Sequence, residues 1–200
     1  MLVNMNEVLY PAKKNKYGVG LFNTTDTDAI EAAITAAEQL RSPIILGTAE
    51  VLLCHGDLQL IGPAMLNMAK NASVPVAIHF DHGLTYEKCL EALELGFTSV
   101  MYDCSTDGYE ENIRKVKEMA DIAHKFGATI EGELGHVGDN EGSAEGDSHL
   151  ADPSAYFTDV ELAKDFVDRT GVDALAVAIG TAHGVYQKTP ELRIDRLDEI

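Results

Sequence analysis

The chain has 200 residues, of which 46% are hydrophobic and 24% are charged, and its formal net charge is −18. This length and composition suit a globular protein with one large domain or two small ones. So acidic a surface repels nucleic-acid phosphates and anionic lipids, which argues against nucleic acid and membrane as partners. No apolar run approaches the roughly 20 residues of a membrane span. The first residues lack a signal-peptide pattern, and three cysteines form no even set for disulfides, so we expect a cytoplasmic protein with reduced, buried thiols.

Predicted strands and helices alternate along the chain. Six apolar runs predict strands, at 17–23, 44–48, 76–83, 99–103, 129–134 and 173–179. Apolar residues at helical spacing predict helices near 1–12, after Asp26, over 50–72 with a break at Gly62-Pro63, and at 85–95, 110–126, 159–169 and 191–200. A basic linker is expected at 13–16 and a long loop rich in Gly, Asp and Ser at 136–153. This alternation predicts parallel βα units.

A doubly wound open sheet and an eight-fold barrel both fit this pattern. Polar side chains at or just after the strand ends distinguish them: Asn23, Thr48, Asp81, His82, Asp103, Glu133 and His183. An open sheet concentrates its ligand contacts at one switch point, whereas every strand end of a barrel faces one mouth. We therefore expect a TIM (β/α)8 barrel, with residues 1–200 as a single incomplete barrel domain holding about the first six βα units. Two further units are expected beyond residue 200.

The stretch 76–83 is the strongest chemical signal. It is an apolar run that ends in three ionisable side chains, His79, Asp81 and His82. Strand alternation puts His79 and Asp81 on one face, with His82 at the exit of the strand. Imidazole suits zinc, and a neighbouring carboxylate can orient it or transfer a proton. A single buried histidine or capping aspartate would be ordinary, but three such groups together favour a metal or proton-transfer site.

A second histidine candidate, His183, lies in the segment 180–184. A catalytic zinc uses three protein ligands and keeps one position open. Three other histidines are candidates for the third ligand, although each has an ordinary structural explanation: His79, His136 and His149.

Four segments together resemble one enzyme family: 79–83 (HFDHG), 96–103 (GFTSVMYD), 131–135 (EGELG) and 176–184 (AVAIGTAHG). They resemble the class II, zinc-dependent ketose-bisphosphate aldolases, whose branches act on fructose or tagatose bisphosphate. The resemblance implies a TIM barrel that cleaves a ketose 1,6-bisphosphate into dihydroxyacetone phosphate and glyceraldehyde 3-phosphate. It implies that His82 and His183 bind Zn²⁺, and that Asp103 and Glu133 bind a second cation, divalent or monovalent.

The same resemblance implies roles toward a small phosphorylated sugar. Asp81 would exchange a proton with the C4 hydroxyl, and Glu141, in the long loop, would move the C3 proton. The remaining matches are to substrate contacts: the Gly184 backbone, Asn23, Thr48 and, for a phosphate, Lys188. The family further implies a homodimer or homotetramer, and a third zinc histidine and a phosphate loop beyond residue 200. Asp139 stands where the family usually has glycine, which leaves the choice between the two epimeric sugars open.

Two other functions remain open. A fragment or pseudoenzyme could keep half of the metal site without turnover, and sequence downstream of residue 200 would distinguish it. A metal-dependent barrel hydrolase, in which zinc would activate water, is the third hypothesis.

Overall fold

The computed structural model describes residues 1–135, 137, 157–184 and 189–200. Its strands are β1 (Leu2–Val3), β2 (Leu21–Asn23), β3 (Ile44–Ala49), β4 (Val76–Gly83), β5 (Ser99–Tyr102), β6 (Thr129–Leu134) and β7 (Ala174–Val177). Its α-helices are α1 (Met5–Asn15), α2 (Thr27–Leu40), α3 (Leu58–Asn71), α4 (Tyr86–Leu95), α5 (Tyr109–Lys125), α6 (Val160–Thr170) and α7 (Ile194–Glu199), with a 3₁₀ helix at Glu50–Cys54.

Six strands form one parallel sheet in the order β2-β3-β4-β5-β6-β7. Each strand pairs with the next one along the chain, so the order contains no reversal and no switch point. The short β1 pairs with the start of β4, through Leu2 and Val76, whereas β5 begins to pair with β4 only at His79. This curved, partial barrel confirms the predicted fold class.

Two apolar layers lie on opposite faces of this sheet because successive strand residues alternate in direction. Leu46 of β3 and Ile78 of β4 belong to the outer core that packs against the helices. Ile45 and Ala77 belong instead to an inner cluster with Met5 and Val8 of α1. Helix α1 therefore packs against the inner face near the start of the strands, which leaves the polar strand ends at the opposite, open end.

The helix boundaries follow the capping signals in the sequence. Asp26, Thr85 and Asp159 are N-caps whose side chains accept a backbone N–H three residues on. Gly96 ends α4 with φ +103°, in the left-handed region that glycine adopts without strain. Among the helices that the structure describes, none has the length and apolar character to cross a membrane.

The predicted break at Gly62-Pro63 is wrong, because α3 runs unbroken from Leu58 to Asn71. The chain breaks earlier, at 55–57, where Asp57 caps α3. A Cβ at Gly62 would lie 3.0 Å from the ring of Phe97, so this glycine allows close packing rather than a turn. Pro63 has no N–H to donate to the carbonyl of Gln59, four residues earlier in the helix. Gln59 is an exposed residue.

Three smaller expectations are also corrected. Lys13 and Lys14 belong to the last turn of α1. Their positive charges interact favourably with the negative end of the helix dipole. Of the predicted basic linker, only Lys16 lies outside the helix. The first predicted strand is only Leu21–Asn23. Cys54 is exposed rather than buried because it lies on the 3₁₀ helix and not on a strand or an inward helix face.

Candidate metal and proton-transfer site

A β-bulge interrupts β4 at the chemically important residues. Phe80 pairs with Val100 and Gly83 pairs with Tyr102, so Asp81 and His82 share the space opposite one residue of β5. His82 has φ +41°, a left-handed conformation that is rare outside glycine. The bulge breaks the strict alternation, and both Asp81 and His82 make side-chain contacts with residues at the ends of other strands.

Gly83 fixes the far side of the bulge. A Cβ there would lie 2.3 Å from the Cys89 sulfur and 2.8 Å from the Met101 carbonyl oxygen, so no larger residue fits. The backbone N–H of Asp103 donates to the Gly83 carbonyl at 2.9 Å. This hydrogen bond holds the chain immediately after His82, at a position where only glycine fits.

The His82 ring lies between a carboxylate and a second histidine. Its Nδ1 is 2.8 Å from Asp103 Oδ2, and its ring meets that of His183 edge-to-face, with centroids 4.9 Å apart. If Nδ1 donates to Asp103, the neutral imidazole keeps Nε2 as the nitrogen that can bind a metal. This carboxylate–imidazole pair is the usual support of a metal-binding histidine.

In the metal-free chain, the pKa shifts of His82 and Asp103 favour an ion pair between them. The hydrogen bond with Asp103 raises the pKa of His82 to about 9, against the opposing effect of burial. Burial raises the pKa of Asp103, but hydrogen bonds with His82 and Ser105 outweigh it and bring that pKa to about 2. Burial raises the pKa of Glu133 above its ordinary value, and the negative charge of Asp103 acts in the same direction.

Three side chains form a compact set of possible metal ligands. One ligand atom from each of His82, Asp103 and Glu133 lies within 4.8 Å of the others. They come from the ends of β4, β5 and β6, and the backbone N–H of Val137 donates to Glu133 at 3.2 Å. One imidazole and two carboxylates, with His183 beside them, suit a divalent cation.

Asp81 is held by a residue two strands away, at the end of β2. The side-chain amide of Asn23 donates to Asp81 Oδ2 at 2.7 Å. The Asn23 side chain lies over Gly47. A Cβ at position 47 would lie only 2.5 Å from Oδ1 of Asn23. A glycine in the intervening strand therefore makes room for this contact.

A buried polar group lies beside Asp81. His79 is fully buried; its Nδ1 is 2.8 Å from the Ser99 hydroxyl, while its Nε2 has no hydrogen-bond partner among the described residues. The nearest carboxylate atoms to Nε2 belong to Glu131, at 3.5 Å, and Asp81, at 3.8 Å. Burial lowers the pKa of His79 to about 4, so the ring is neutral at pH 7.

Glu131, the carboxylate beside His79, had no role predicted from its sequence position. Burial raises its pKa to about 7, and the charge of Asp81 acts in the same direction. The signal that could have identified it is its position two residues before Glu133, on the same face of β6.

The structure brings most predicted site residues together and separates one. The group at the open end comprises Asn23, Asp81, His82, Asp103, Glu133 and His183, with Gly184 next in the chain. Thr48 is in register with Phe80, on the face that packs against helices, and only 1% of it is exposed. A substrate contact by Thr48 would therefore have to come from its backbone. The other named candidates lie outside the described residues: His136, Asp139, Glu141, His149 and Lys188.

Comparisons with known proteins agree with this arrangement. A family model described as fructose-bisphosphate aldolase class-II matches residues 3–200. A fructose-bisphosphate aldolase of Thermus caldophilus is 43% identical over 189 residues, which is 94% of this chain and 60% of the relative. Another, from Geobacillus stearothermophilus, is 39% identical over 207 residues, covering 100% of this chain and 68% of the relative.

A solved structure gives the same result. The YdjI aldolase from Escherichia coli K12 matches with a TM-score of 0.87 and 33% identity, over 100% of this chain and 68% of that one. The chain thus spans 60% of the length of the Thermus relative and 68% of the other two. The chain belongs to the class II fructose-bisphosphate aldolase family.

Proposed function

We propose that this chain carries the zinc-binding and proton-transfer half of an aldolase that cleaves a ketose 1,6-bisphosphate, fructose or tagatose. The products would be dihydroxyacetone phosphate and glyceraldehyde 3-phosphate. The observation that carries the proposal is the pairing of His82 with Asp103 beside His183, next to an Asp81 carboxylate that Asn23 orients. Family membership supports the same reaction class.

His82 and His183 would supply two of the three protein ligands that a catalytic zinc uses. When bound, the metal would act as a Lewis acid for the negative charge that builds on the substrate's C2 oxygen during cleavage. Asp103 would keep the His82 ring in the tautomer that presents Nε2. Asp103 and Glu133 would also form the second cation position.

Asp81 would accept the proton of the C4 hydroxyl as the C3–C4 bond breaks and its electron pair moves toward C2. Asn23 donates its hydrogen bond to Oδ2 of Asp81, which leaves Oδ1 to accept this proton. Asn23 would therefore act on the reaction through Asp81. Glu141 would then deliver a proton to C3. The backbones of Gly184 and Thr48 would contact the substrate, and Lys188 would contact a phosphate. A cytoplasmic homodimer or homotetramer stays a prediction.

A cleavage assay on both epimeric bisphosphates tests this proposal. We expect release of dihydroxyacetone phosphate that stops with a chelator and returns with zinc. Turnover that a chelator does not affect would rule out the metal. Release of inorganic phosphate without triose formation would favour the metal-dependent hydrolase, and bound zinc without any turnover would favour the inactive fragment.

A further inference from the structure

Glu50 is an acid outside the metal site whose carboxylate accepts three hydrogen bonds from one short segment. The backbone N–H groups of Leu84 and Thr85 donate to Oε2 at 2.8 and 2.9 Å, and the Thr85 hydroxyl donates to Oε1 at 2.9 Å. These partners lie 34 and 35 residues away in the sequence. Each of these bonds orders a flexible side chain, so together they hold the Glu50 carboxylate against this segment.

Glu50 is itself anchored at the end of a strand. It is the first residue after β3, whose last residue, Ala49, is in register with Asp81. Its carboxylate therefore ties the end of β3 to the segment that follows the end of β4. That segment begins one residue after Gly83 and two residues after His82.

The bulge at His82 needs such an anchor. A left-handed non-glycine residue is strained and persists only when its surroundings enforce it. On the strand side, the hydrogen bond from the Asp103 backbone N–H to the Gly83 carbonyl holds the chain, and there is no room for a side chain at Gly83. On the loop side, the bonds to Leu84 and Thr85 enforce the path of the chain.

We propose that Glu50 is a positioning residue for His82, and through it for the metal, because it holds the chain that leaves the bulge. This inference rests on the proposed metal site but names a residue that does not touch the metal or the substrate. The alternative is that Glu50 only stabilises the start of α4, which Thr85 caps, through the helix dipole.

Three variants separate these two roles. Glu50→Ala removes all three bonds. Glu50→Gln keeps an oxygen in place of Oε2, which accepts both backbone N–H groups, so it should rescue the position of His82 without the charge. Asp57→Ala is the matched control, because Asp57 caps α3 through Gln59 N at 2.9 Å and makes no hydrogen bond to residues 82–85.

The first readout is the Nδ1 proton of His82 in the NMR spectrum of the metal-free full chain, identified by its loss in His82→Asn. We expect Glu50→Ala to shift or broaden this signal, and Glu50→Gln and Asp57→Ala to leave it near its wild-type position. The second readout is zinc affinity by chelator competition. We expect it to weaken roughly 10-fold or more in Glu50→Ala, as for other residues that support a metal ligand, and to stay near wild type in Asp57→Ala.

An unchanged His82 signal in Glu50→Ala would overturn the proposal. So would an unchanged zinc affinity when the wild-type chain binds zinc. If the wild-type chain binds no zinc, the proposed function fails separately, and the His82 signal alone decides the role of Glu50.

Discussion

Asn23 and Asp81 are joined by a 2.7 Å hydrogen bond that crosses the strand between them. Asn23 ends β2 and Asp81 lies in β4, whereas β3 separates these two strands in the sheet. The contact is possible because β3 carries Gly47 at the crossing point. Orientation of the proposed proton acceptor thus depends on a residue with no side chain.

Gly47→Ala tests this dependence. Its Cβ would lie 2.5 Å from Asn23 Oδ1, so Asn23 must move away from Asp81. We expect kcat/KM for bisphosphate cleavage to fall at least about 10-fold because Asp81 loses its orientation. The unfolding free energy should change little, because the displaced oxygen is the free end of a flexible side chain. Gly18→Ala is the control, because a Cβ there meets nothing within 4 Å. Equal activity in both variants would show that Asn23 does not orient Asp81.

Asp103→Asn should lower the pKa of His82 from about 9 toward its ordinary value of 6.5, because the carboxylate that stabilises the imidazolium is gone. An NMR titration of His82 in the metal-free protein measures this.

The same pairing predicts a pH dependence of unfolding for the metal-free wild type. His82 is protonated to a higher pH in the folded state, so its contribution to stability is present below pH 6.5 and is lost as the pH rises toward 9. The pairing is contradicted if the His82 titration is the same in Asp103→Asn as in wild type.

His79 predicts a pH dependence of opposite sign. Its folded pKa of about 4 lies below the ordinary 6.5, so the unfolded chain binds the extra proton between these values. Stability is therefore full above pH 6.5 and falls as the pH drops toward 4, by about 2 kcal/mol between pH 7 and pH 5 from this group.

His79→Asn keeps a group that can donate to Ser99 but does not titrate. Urea unfolding at pH 7 and pH 5 should show a smaller acid loss in this variant than in wild type. An identical loss in both proteins would mean that His79 does not account for it.

Chain order and strand ends were predictable because parallel βα units have strong local signals. Continuous apolar runs, capping residues such as Thr85 and polar strand ends such as Asp103 are legible without contacts. Glu133 is identified in the same way. The consecutive strand order then follows from the barrel interpretation.

The finer geometry depends on contacts distant in sequence and was not predictable. Alternation alone put His82 at the strand exit, but the bulge that turns it depends on the register between β4 and β5. Thr48 looked like a strand-end contact, yet the pairing with Phe80 puts it on the helix-facing side. Glu50 resembled any surface acid, since the N–H groups it binds are more than 30 residues away.

We propose that the end of β4 separates two roles, with His82 binding the metal and Asp81 transferring the proton. Asp81→Ala and His82→Ala, measured together for zinc content and for bisphosphate cleavage, test it most directly. We predict that Asp81→Ala keeps wild-type zinc content while cleavage falls by roughly 10²-fold or more, and that His82→Ala loses both. Loss of zinc in Asp81→Ala, or cleavage that survives in it, would contradict this division.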